Sequence, residues 1–153
     1  MLDLALLTLA ALAEPSCRAH PWQMHALVTE ADRASRRHSL PVGLLVAVVL
    51  AESGGRNIIS RRRYNGSRDH GVMQINAHHL SKRRLALLLT LEVNTDRGAS
   101  ILASSRSRCA GRACRCLEAH YNWNSRTWCG RVHAIWRRLR ERLQPVGNGG
   151  LST

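Results

Sequence analysis

Leu44 to Gly55 reads LLVAVVLAESGG, and the carboxylic acid of Glu52 follows eight residues without a polar side chain. A carboxyl set against Val48, Val49 and Leu50 loses solvation of its anion. The negative end of a helix dipole acts in the same direction, by roughly 0.3–1 kcal/mol at an exposed site. Both effects favour the protonated acid near neutral pH, the state a general acid must occupy before it donates. A glutamate that merely reaches into water at a helix end is the structural alternative, and the helix alone does not exclude it.

The elements that must position Glu52 are readable around it. Residues 42–51 are apolar on every face except at Gly43, the pattern of a helix buried all round, and Gly54-Gly55 supplies a left-handed stop. Ser39 is the expected cap of this helix, with Pro41 in its first turn. Trp22 to His38 predicts an amphipathic helix with Ala26, Leu27, Ala31 and Ala34 inward. Arg56 to His70 reads as a polar loop turning at Asn65-Gly66. Ser81 to Leu91 predicts another helix, and Asn94-Thr95-Asp96 the cap of one through Ile101 and Leu102. Leu117 to Tyr121 belongs to a helix or turn tied down by cysteines. The final helix carries Val132, Ile135, Trp136, Leu139 and Leu143 on one stripe with arginines opposite. No segment alternates as a strand over any length. The expectation is an all-α domain spanning residues 20–144 around one central helix, with a loose tail at 145–153.

Glu52-Ser53, Asn57, Ser60, GVMQIN at 71–76, NTDRGASIL at 94–102 and HYN at 120–122 follow one another in a set order. This order resembles the lytic transglycosylases of the soluble lytic transglycosylase type, within the superfamily that includes goose-type lysozyme. The insertion YNGSRDH before GVMQIN is most similar to the small branch that accompanies secretion and conjugation machines. The resemblance covers about Leu40 to Asn122. It implies that Glu52 is the catalytic acid and base, that Met73 and Gln74 line a sugar cleft, and that Tyr121 and Asn122 face the acid. Met73 and Ile75 as plain core, and Tyr121 as a packed aromatic, are the structural alternatives. Three departures stand out. Gly55-Arg56-Asn57-Ile58 replaces the family's aromatic and Asn-Pro, and the following serine, Ser60, falls one position early, which puts its expected place at the substrate in question. Trp123 follows the Tyr-Asn pair where the family has a small residue.

Cutting a glycosidic bond ordinarily takes two carboxyls. Among the few acidic residues here, Glu52 alone follows a buried apolar run. The resemblance implies a one-acid route on peptidoglycan: protonation at the MurNAc-GlcNAc β-1,4 bond, then closure of a 1,6-anhydro ring by the substrate's own hydroxyl. Asp69, just before GVMQIN, is the candidate second carboxylate of a hydrolytic variant; its structural alternative is a loop aspartate capping a turn or pairing with Arg61, Arg62 or Arg63.

The chain has 153 residues, with 23 basic against 10 acidic side chains and a formal charge of +13, almost all of it arginine. That surface suits a polyanion: nucleic acid, an anionic membrane surface or an acidic wall polymer. A nucleic-acid module would explain the charge but neither Glu52 nor the cysteines, and four Trp, two Tyr and no Phe supply a poor stacking platform. A non-enzymatic wall-binding remnant would have tolerated loss of the acid. Leu4 to Ala13, LALLTLAALA, reads as the core of a signal peptide over residues 1–19, with cleavage after Ala13 or Ala19, although Asp3 stands where a basic residue is usual. An ordinary buried first helix is the other reading of that run. The run is too short for a mature membrane anchor. Cys109, Cys114, Cys116 and Cys129 are disulfide candidates of an exported, periplasmic or wall-associated chain. Their spacing fits no common zinc ribbon, so no metal and no cofactor is expected, with a site from these cysteines and His120 or His133 as the alternative. A cysteine hydrolase using Cys116 and His120 conflicts with oxidised clustered thiols.

Overall fold

Residues 3–61, 66–76, 81–108 and 127–144 are described by the structure, a computed structural model. Among them six helices run in order: α1 (Leu4–Leu12), α2 (Pro21–Arg37), α3 (Leu44–Ser53), α4 (Lys82–Leu87), α5 (Leu91–Arg108) and α6 (Trp128–Leu143). The all-α expectation holds for this framework. One element escaped it: a two-residue antiparallel pair, β1 (Asp69–His70) and β2 (Ile75–Asn76), with Asp69 opposite Asn76 and His70 opposite Ile75. Ile59 adds a bridge to His70. Strands this short contain no alternation for a sequence to display.

α3 lies at the centre because it has no polar face to show to water. Every residue from Leu44 to Ala51 is buried, and the helix packs against α6 and α2. Burying each such side chain stabilises the fold by roughly 1.5–3 kcal/mol. α6 meets it with Val132, Ile135 and Leu139, all buried as the stripe predicted; Trp136 sits at the edge, donating its indole N–H to the Val42 carbonyl at 2.9 Å. The helix ends at Gly54 in the left-handed region, φ +65°, as Gly54-Gly55 predicted. Its start differs. Ser39 is itself left-handed at φ +51° and terminates α2, so Gly43 becomes the N-cap and α3 begins at Leu44.

α1 packs on α2 and α6, with Leu7, Ala10 and Ala11 in the core and Leu6 and Leu9 outward. Asp3, the residue that fits a leader poorly, caps it by accepting from the Ala5 N–H at 2.8 Å and the Leu6 N–H at 3.2 Å. No helix among the described residues is long and apolar enough to cross a membrane. The expected turn at 117–121 and the tail from Pro145 lie outside the described residues.

Asn94 does not cap α5, which starts three residues earlier, at Leu91. Its fully buried amide instead holds the loop between β1 and β2. Oδ1 accepts from the Met73 N–H at 2.7 Å, while Nδ2 donates to the carbonyls of His70 at 2.9 Å and Leu88 at 2.8 Å. Gly71 makes room for it: at φ +78°, a Cβ there would lie 2.1 Å from the Asn94 Nδ2. Asn94→Ala leaves three buried backbone groups without partners and is expected to cost roughly 3 kcal/mol. That corresponds to a fall in Tm of about 6–12 °C in thermal unfolding; a shift within the scatter of the wild type would show that the loop is held otherwise.

Candidate active site

Glu52 occupies the last turn of α3, where the helix surfaces from the core and its side chain becomes partly exposed. The neighbouring Ser53 is buried and stitches the helix end to the β1–β2 loop, donating its hydroxyl to the Val72 carbonyl at 2.8 Å. The carboxyl is anchored from across the fold. Trp128, the first residue of α6, is 1% exposed and donates its indole Nε1–H to the Glu52 Oε1 at 2.6 Å. An indole nitrogen only donates, so Oε1 serves as acceptor and the proton of the neutral acid belongs on Oε2. A carboxyl at the end of a buried helix, with one oxygen accepting from a neutral donor, has an arrangement compatible with a general acid.

Trp128 was not singled out in the sequence. At the head of a stripe continuing through Val132, Ile135 and Leu139, a tryptophan reads as core, and most of its surface is core. Only the hydrogen bond 76 positions back in the chain gives it a role, and spacing carries no sign of that.

The loop that faces this end of α3 uses its polar groups largely on itself. Gln74 takes φ +48° and turns its amide Nε2–H groups to the carbonyls of Gly71 at 2.8 Å and Ile58 at 3.1 Å. Met73 is fully buried, and a Cβ at Gly98 would meet its side chain, so Met73 packs in the core and anchors the loop. The Ser60 hydroxyl accepts from the Asp69 N–H at 2.8 Å and donates to the Arg61 carbonyl at 3.2 Å. The Asn57 amide bonds the Leu89 carbonyl. These four residues are brought together as a scaffold around one loop.

Asp69 is buried at 6% exposure on β1, where its Oδ1 accepts from the Asn76 Nδ2–H at 2.9 Å. Asn76 donates also to the Ser67 hydroxyl at 3.0 Å, so the aspartate closes a hairpin network. Tyr121, Asn122 and His120 lie outside the described residues, as do Cys109, Cys114 and Cys116. Cys129 is buried on α6, and Cys17 carries a free thiol. No group of three His, Cys, Asp or Glu side chains that could hold a metal ion occurs among the described residues. His133 stands edge-on to Trp136 with ring centroids 5.7 Å apart.

Comparison with known proteins gives the chain's family. The family model described as the transglycosylase SLT domain matches residues 30–128, from α2 to Trp128 itself. Protein IpgF of Shigella sonnei and Protein IpgF of Shigella flexneri are each 40% identical to the chain over 53 residues, covering 35% of this chain and 35% of theirs. The alignment therefore spans about a third of the curated relatives it matches. No solved structure matches.

Trp128 and Trp136, both on α6, make a paired test. Trp128→Phe keeps most of the volume but removes the donor to Glu52, and is expected to lower turnover about tenfold or more, the weight of one hydrogen bond to an ionisable group. Trp136→Phe removes the bond to Val42 and is expected to lower Tm while leaving turnover near the wild-type value. Equal turnover in the two variants would detach Trp128 from the chemistry.

Proposed function

Since the chain belongs to the transglycosylase SLT domain family, we propose that it is a peptidoglycan lytic transglycosylase with Glu52 as its single catalytic carboxyl. The observation that carries this reading is the Glu52–Trp128 pair, a carboxyl at the end of a buried helix whose Oε1 accepts from a buried indole. Glu52 donates its Oε2 proton to the glycosidic oxygen of the MurNAc-GlcNAc β-1,4 linkage. The C1–O bond breaks, its electron pair stays with the protonated leaving oxygen, and the neighbouring N-acetyl group supports the cationic sugar. The resulting carboxylate then takes the proton of the C6 hydroxyl as that oxygen attacks C1. A 1,6-anhydro end forms and the acid is restored, so no second carboxylate is consumed.

Asp69 favours the same conclusion by its occupation. Its Oδ1 is tied to Asn76 within the hairpin, which suits a structural aspartate better than a base that must hold a water. Tyr121 and Asn122 complete the site in this proposal, facing Glu52, with Gln74 and Ser60 at the sugar. The substrate requires export to the periplasm or wall. A disulfide from Cys129 to Cys109, Cys114 or Cys116 suits that compartment; its support is that Cys129 is buried and that the free thiol of the described residues is Cys17. Exposed arginines, Arg83 and Arg84 among them, would concentrate the enzyme on anionic wall polymers, an effect that weakens with salt. A secretion or conjugation apparatus is the partner that the YNGSRDH insertion suggests.

Mass spectrometry of peptidoglycan digested by the wild type, Glu52→Gln and Asp69→Asn tests the reading. Anhydro-muropeptides are expected from the wild type and from folded Asp69→Asn, with at least about a hundredfold less from Glu52→Gln. Reducing ends in place of anhydro ends would make the enzyme a hydrolase and bring Asp69 into the mechanism.

A further inference from the structure

The segment joining α1 to α2 touches both helices that carry the Glu52–Trp128 pair. On the α3 side, the Arg18 N–H donates to the Gly54 carbonyl at 2.7 Å, two residues beyond Glu52. The contact is close: a Cβ at Gly54 would lie 2.6 Å from the Ser16 carbonyl oxygen. The strap is stiffened from within, since the Arg18 guanidinium donates from Nη1 to the carbonyls of Pro15 and Cys17, each at 2.7 Å.

On the α6 side stands Glu14, a carboxylate whose side chain is 0% exposed. Arg138 grips it with Nη2 at 2.7 Å and Nε at 3.1 Å, and Arg142 adds Nη1 at 2.7 Å. Arg142 also reaches back to the Ala10 carbonyl at 3.1 Å. Both arginines belong to the helix that Trp128 begins. Buried ion pairs are poor contributors to net stability against an apolar alternative, but removing one partner is strongly destabilising, and their geometry is specific. A carboxylate with two guanidinium forks on one helix therefore fixes the placement of that helix against the strap. The strap in turn fixes the end of α3.

We propose that Glu14 is a positioning residue for the Glu52–Trp128 pair, and that residues 14–18 stay with the working enzyme. Of the two cleavage positions that the sequence offers, the one after Ala13 leaves this strap in place and the one after Ala19 removes it. The positioning role rests on Glu52 being the catalytic acid; retention of the strap in the folded domain does not.

The test uses the full chain. Glu14→Ala, Glu14→Gln and, as a control on the same helix, Glu141→Ala are assayed for turnover on peptidoglycan well below their Tm. Glu14→Ala is expected to lose about tenfold or more in kcat with KM within about twofold, because misplacement of a catalytic group acts on the chemical step. Its Tm should fall by about 6–15 °C. Glu14→Gln, whose amide oxygen still accepts from one guanidinium, should recover part of both, and Glu141→Ala should match the wild type. Intact mass of the active protein recovered after expression of the full chain gives its first residue, expected at or before Glu14. Wild-type kcat in folded Glu14→Ala would overturn the positioning role. An active mature chain that begins after Glu14 would overturn the strap. If the wild type releases no muropeptides, the peptidoglycan reading fails by itself, and the first residue of the folded chain still decides whether the strap belongs to it.

Discussion

A helix with no polar face has to be covered on all sides, and the rest of this structure follows from meeting that demand for α3. α6 and α2 supply the covering surfaces, and the strap and the β1–β2 loop close over its C-terminal end. The dense packing that hides Leu44 to Ala51 leaves the next residue, Glu52, on a backbone with little freedom to shift. A carboxyl on a loop would need its own ordering contacts; here the core performs the ordering, and one indole completes it.

Polar side chains near the acid are spent mostly on backbone groups. Asn94, Ser53 and Gln74 donate to the backbone carbonyls of His70, Val72 and Gly71, in and beside the tight turn from Gly71 to Gln74. Buried backbone groups left without partners would cost as much as several lost hydrogen bonds, so a compact loop beside Glu52 needs such side chains. The motif GVMQIN thus works first as architecture: Gly71 admits Asn94, Met73 anchors the loop in the core, and Gln74 ties it to Ile58.

Periodicity made the central helix, α2 and the stripe of α6 legible, because burial on a helix leaves a repeating mark. Glu52 was legible because it interrupts such a pattern. Features that depend on the fold bringing distant residues together left no mark. Asn94 reads as a helix cap because the loop it holds lies more than twenty positions upstream. Trp128 reads as core because its ring is core and only one nitrogen does something else. Ser39 and Pro41 resemble a helix start, but backbone conformation at Ser39, φ +51°, decided otherwise. Glu14 carried no signal at all, since its partners lie 124 and 128 positions away. Tyr121 and Asn122 came from resemblance, and the described residues add nothing to them.

A single carboxyl that serves as acid and then as base passes through both charge states within one turnover, so its anchor must tolerate both. The indole of Trp128 does. Its N–H donates to the carbonyl oxygen of a neutral acid and to the same oxygen of the anion, and neither state leaves it as an unpaired charge. A guanidinium in that place would favour the carboxylate over the neutral acid, and the acid would have no proton to give. In a chain so rich in arginine, the two glutamates differ in their donors: Glu14 is gripped by two guanidinium groups, while the Oε1 of Glu52 accepts from a neutral indole.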